Sequence, residues 1–143
     1  MRRRLFVLAL GIGFLIVITG LATNIDGIIP HRPTPQTQTA QAGPYQITLQ
    51  VTPNPPPTTQ PSTLSLQIVR RDTQQAIADA HVTLDSDMEA MDMGTTHVEA
   101  QMQTAGVYQA QLQFSMSGSW QVRVRIAVAG AQAESALFEI TAQ

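Results

Sequence analysis

The chain has 143 residues, 43% of them hydrophobic and 13% charged, with a net charge of −2. That length holds one domain and a short extension. There is no lysine, and three of the eight arginines stand at the extreme N-terminus, so the rest of the chain is acidic. It therefore lacks the basic face with which a nucleic-acid binder neutralises phosphates. The absence of cysteine excludes disulfide staples, thiolate metal sites, a Cys nucleophile and a lipid-anchored N-terminal Cys.

Met1-Arg2-Arg3-Arg4 precedes an apolar run from Leu5 to Ala22, interrupted only by small residues such as Gly11, Gly13, Thr19 and Gly20. Its length approaches the ~20 residues of a bilayer-spanning helix. The arginines stay on the cytoplasmic side and send the following chain outward. Residues 1–22 are thus expected to be an N-terminal signal-anchor, the run being long for the apolar region of a signal peptide. A cleavable signal peptide with the weak small-x-small site Gly20-Leu21-Ala22 is the other reading. Both place the domain on the extracytoplasmic side, membrane-anchored in the first case and secreted in the second. Residues 23–44 carry Pro30, Pro33, Pro35 and Pro44 among Gln and Thr, with little apolar content. This is the composition of an extended tether, and His31 within it is expected to be solvated.

From residue 45 the dominant period is two. Tyr45, Ile47, Leu49 and Val51 alternate with polar residues, the pattern of a half-buried strand. Prolines at 53, 55, 56 and 57 end it. Further strands are expected at Leu64–Ile68, Ala80–Leu84, Val98–Met102, Tyr108–Phe114, Trp120–Val128 and Ala136–Ile140. Met102 is expected on the inward parity, in the core, and His81 on the outward one. Seven short strands at even spacing predict an all-β fold, a seven-stranded antiparallel immunoglobulin-like sandwich over residues 45–143. Trp120 reads as a core anchor, while Tyr45 and Tyr108 are expected to pack inward with their hydroxyls reaching out.

One region departs from this pattern. Met88, Met91 and Met93 fall within six residues of an acidic stretch that also holds Asp85, Asp87, Glu89 and Asp92, and His97 follows. Met116 lies in the turn before Trp120. If the third to sixth strands form an up-and-down meander, the 86–96 and 115–119 loops emerge at one end of the sandwich. Thioether sulfur is a soft ligand that prefers Cu(I), and imidazole accepts copper as well. The nearby carboxylates would raise the local cation concentration. Met88, Met91, Met93 and Met116, with His97, are therefore candidate ligands of a loop-borne Cu(I) site. The alternative is that these methionines fill irregular gaps over the end of the core, because a methionine cluster lacks the fixed ligand spacing of a strong metal motif. The histidines are scattered, the carboxylates crowd one acidic loop, and there is neither a Gly-rich phosphate loop nor a Ser elbow. The chain is accordingly expected not to be an enzyme.

The ordered series Asp79-Ala80-His81-Val82-Thr83-Leu84, Met91-Asp92-Met93-Gly94, Gly106-Val107-Tyr108 and Phe114-Ser115-Met116-Ser117-Gly118-Ser119-Trp120 resembles the YtkA-like domain family, which is related to the FixH-like proteins. The resemblance covers residues 45–142 and implies an immunoglobulin-like sandwich exported behind a signal or membrane anchor. FixH-like members are associated with the assembly of copper-containing terminal oxidases and with cation-transport operons. Carried over by position, the resemblance marks Met91, Met93 and Met116. The N-terminal region does not look like the FixH membrane segment. The function expected is that of a membrane-tethered accessory domain that binds or delivers Cu(I), serving copper handling or an oxidase-assembly partner. The alternative is a metal-free interaction or structural module of a membrane complex.

Overall fold

The computed structural model describes residues 34–91 and 94–143. The expected anchor at 1–22, most of the expected tether, and Asp92 and Met93 lie outside the described residues. The described chain forms eight strands: β1 (Thr37–Ala42), β2 (Tyr45–Thr52), β3 (Ser62–Arg70), β4 (Ala80–Met88), β5 (Thr96–Thr104), β6 (Val107–Leu112), β7 (Gly118–Val128) and β8 (Glu134–Ala142). All pairings are antiparallel, in the order β1-β2-β3-β6-β5-β4-β7-β8. The all-β antiparallel sandwich is therefore present, with one strand more than the period-two pattern predicts.

That additional strand, β1, lies inside the stretch expected to be a tether, so the folded domain starts earlier than residue 45. Its sequence, TQTAQA, carries no apolar alternation, and only Ala42 is buried. The strand exists because its backbone ladders onto β2, Ala42 opposite Tyr45 through to Thr37 opposite Gln50. The tight turn between them needs the positive φ of Gly43 (54°). A polar edge strand of this kind also discourages pairing with other chains.

The two layers are joined through β5. Its first half pairs with β4, Val98 opposite Leu84 and Ala100 opposite Val82. Its second half pairs with β6, Met102 opposite Tyr108, with a register shift between Met102 and Thr104. One layer is then β1-β2-β3-β6 and the other β4-β7-β8, with β5 turning the corner. At the opposite seam the side-chain amide of Gln38 on β1 donates to the Glu139 carbonyl on β8 (2.7 Å).

Inward residues of both layers form one core: Ile47, Leu49, Leu64, Leu66, Ile68, Leu84, Val122, Val124, Ile126 and Ile140 are each at most 1% exposed. Trp120 and Phe114 are buried edge-to-face, centroids 5.5 Å apart at 73°. Phe114 lies just beyond the end of β6, in the loop. Tyr108 is buried entirely and its hydroxyl stays inside, donating to the Ile77 carbonyl (2.8 Å) and accepting from the Ala80 amide (3.2 Å). Met102 departs from its expected core position and is 51% exposed. The register shift at the corner carries this end of β5 off the core although its parity is inward.

The expected meander is also replaced. β7 does not lie beside β6 but crosses to pair with β4, from Ala80 opposite Val128 to Met88 opposite Trp120. This crossover brings the two methionine-bearing loops together.

Candidate functional site

β4 ends at Met88, β5 begins at Thr96, β6 ends at Leu112 and β7 begins at Gly118. The 89–95 and 113–117 loops therefore share one end of the sandwich. Both are tied to the start of β7. The Glu89 amide donates to the Ser119 carbonyl (3.0 Å), extending the β4–β7 ladder into the loop. The Trp120 indole N–H donates to the Met116 carbonyl (3.0 Å), fixing the turn that carries Met116. Met88, half-buried on the inward parity, packs against the core. Its Cε lies 2.9 Å from where a Cβ at Gly118 would stand, and Gly118 has a φ of 136°. Glycine is needed there both for the conformation and for the close approach of the thioether.

Met91 and Met116 project into solvent, 49% and 38% exposed, and are two of the four large hydrophobic side chains exposed in the described domain. A concavity at this end is lined by Asp87, Met88, Glu89, Met91 and Thr95. Gly94 supplies a φ of 82° for the return of the chain. The structure thus brings Met88, Met91 and Met116 to one end, one sulfur against the core and two facing out. Among the candidate ligands, Met93 lies outside the described residues.

His97 sits apart from Met88. On β4, Val82, Leu84, Ser86 and Met88 face inward, whereas His81, Thr83, Asp85 and Asp87 face outward. His97, opposite Asp85, shares that outer face. Its Nδ1–H donates to Asp85 Oδ1 (2.6 Å), and Arg125 Nε lies 3.6 Å from Asp85 Oδ2. His81 repeats the arrangement, with Nδ1 3.2 Å from Glu99 Oε1. The Asp85 side chain is only 11% exposed although it points away from the core, because His97 and Arg125 cover it. The imidazole of His97 is 73% exposed. A concavity on this face is lined by Thr83, Asp85, His97, Val98, Glu99 and Arg125. Sequence reading identified His97 but not its partner, since a buried carboxylate on an outward parity has no signature in the period. The His-x-Glu spacing of His97 and Glu99, on a strand whose alternate residues share a face, was the signal available. Among the described residues, no three histidines or carboxylates converge on one point as a ready-made metal cage.

Beneath the methionine end two polar groups are left unpaired. The hydroxyls of Ser62 and Ser86 are buried without a hydrogen-bond partner. The chain also enters the domain here. Thr34 accepts from the Thr141 amide through its hydroxyl (2.6 Å) and from the Asn54 side-chain amide through its carbonyl (2.9 Å). The 53–61 loop and the C-terminus close the same end, with Gln143 and Pro56 hydrogen-bonded (3.0 Å).

A family model described as YtkA-like matches residues 39–125, which spans β1 to most of β7. Among solved structures, the soluble domain of PmoD from a Methylocystis species superposes with a TM-score of 0.51 at 15% identity, covering 76% of this chain and 97% of that one. A DUF4426 family protein from Pseudomonas aeruginosa gives a TM-score of 0.50 at 11% identity, covering 73% and 94%. At these identities the likeness is one of fold. No curated protein matches the chain.

Proposed function

The chain belongs to the YtkA-like family, and from that premise we propose that it is an extracytoplasmic accessory domain, tethered to the membrane by residues 1–22, that binds Cu(I) through the methionines of its loop end. The observation that carries this reading is the convergence of two methionine loops on one end of the sandwich, each tied to the start of β7. The Glu89 amide ties the first loop to Ser119 of β7, and the Trp120 indole ties Met116 of the second loop to the same strand. Soft thioethers select Cu(I) over the harder divalent ions, and an exported domain without cysteine has methionine as its sulfur ligand. Asp87 and Glu89, on the same rim, favour the approach of a cation. The reading is one of binding and delivery. Delivery to a copper oxidase under assembly fits a tethered carrier.

The test is a Cu(I) titration of the full-length chain in detergent against a competing chelator. A stoichiometric site is expected, and it should disappear when Met91 and Met93 are changed together to leucine. Equal affinity in the double variant would overturn the proposal in favour of an interaction module, in which charge reversal at Asp87, Glu89 and Asp92 abolishes function while the methionine changes do not.

A further inference from the structure

The outer face of β4 and β5 carries an arrangement that the methionine site does not use. Both histidines of the described domain, His81 and His97, lie on this face, and each has its Nδ1 against a carboxylate. In His97 the geometry is the tighter, 2.6 Å to a carboxylate that is itself nearly buried and braced by Arg125. A carboxylate that accepts from Nδ1 fixes the ring's tautomer and orientation and leaves Nε2 with a bare lone pair. This is how proteins prepare an imidazole to bind a metal ion. The exposed edge of the ring shares a concavity with Glu99, which stands two residues further along the same strand face. Glu99 gives one oxygen to His81 and has a second to offer.

We propose that His97 and Glu99 form a second metal site on the outer face of the sheet, taking a borderline divalent ion such as Zn(II) or Cu(II), with Asp85 as the positioning residue for His97. Imidazole nitrogen and carboxylate oxygen suit these ions, whereas the thioethers at the loop end suit Cu(I). His97 and Met88 point to opposite faces of the β4–β5 ladder, so the two sites are separate. Two protein ligands, with water in the remaining positions, make the ion exchangeable rather than structural. The proposal stands independently of the Cu(I) reading.

The test uses the full-length chain in detergent, with Zn²⁺ as probe for the outer face and Ag⁺, a soft monovalent ion, for the loop end. Calorimetric titration is expected to show one Zn²⁺ bound, lost in His97→Ala and weakened at least tenfold in Glu99→Gln. Asp85→Asn should weaken it roughly 10–100-fold, the usual effect of removing a carboxylate behind a ligating imidazole. The ¹⁵N resonance of His97 Nε2 should shift on adding Zn²⁺ while Nδ1 stays protonated, which a merely structural Asp85–His97 pair would not produce. Ag⁺ binding should be unchanged in His97→Ala, an exposed position where loss of fold is not expected. Zn²⁺ binding that survives His97→Ala, or that is absent from the unaltered chain, overturns the proposal. Loss of both Zn²⁺ and Ag⁺ binding in that variant overturns it too, by merging the two sites into one.

Discussion

The two ends of the sandwich are built on opposite principles. At the end formed by the 71–79 and 105–106 turns, these two connections are tied to the core. Tyr108 places its hydroxyl between the Ile77 carbonyl and the Ala80 amide, Ile77 is buried, and the Ile68 amide reaches the Gly106 carbonyl at 2.8 Å. Gly106 packs so closely on Ala76 that a Cβ there would lie 2.7 Å away. At the other end two loops present methionines to water above two buried hydroxyls without partners. The same sheet runs through both ends, so the difference lies in the loops. A turn that only has to return the chain can be packed tightly. A loop that has to take hold of a ligand keeps its side chains available, and such regions come from the less stable part of a fold.

The contrast can be broken by substitution. Leu84→Ala empties a fully buried position in the middle of β4 and is expected to cost about 2–5 kcal/mol by chemical denaturation. Tyr108→Phe removes the hydroxyl that serves two backbone groups at the tight end, leaving a buried carbonyl and a part-buried amide unpaired. It should cost about 1–3 kcal/mol. At the methionine end the same kind of change should behave differently. Ser86→Ala removes a hydroxyl that makes no hydrogen bond, so stability should stay within about 0.5 kcal/mol or rise. Met91→Leu with Met116→Leu should also change stability by no more than about 0.5 kcal/mol each, because both side chains are largely in solvent. A loss above 2 kcal/mol in that pair would mean that the methionines hold the fold, and the contrast between the ends would fail.

Much of this architecture was legible in the alternation of residues. Tyr45 to Val51, Leu64 to Ile68, Trp120 to Ile126 and Ala136 to Ile140 are inward-facing runs in the structure as in the sequence. The exceptions share a cause. β1 has no apolar period because an edge strand is held by its ladder and not by burial. Met102 has the inward parity but sits at the corner where β5 leaves one layer for the other, and local pattern carries no information about corners. Pairing of β7 with β4 in place of β6 is a long-range choice that no window of sequence contains. At the site, the methionines and His97 were visible by residue type. Asp85 was visible only as one carboxylate of an acidic stretch, and its burial was not, since that depends on two side chains from neighbouring strands.

The most direct measurement of the central claim is X-ray absorption at the copper edge of the full-length chain loaded with one equivalent of Cu(I). The account predicts a first shell dominated by sulfur, which is lost when Met88, Met91 and Met116 are replaced by leucine without loss of fold. A shell of nitrogen and oxygen alone, unchanged by those replacements, would contradict it.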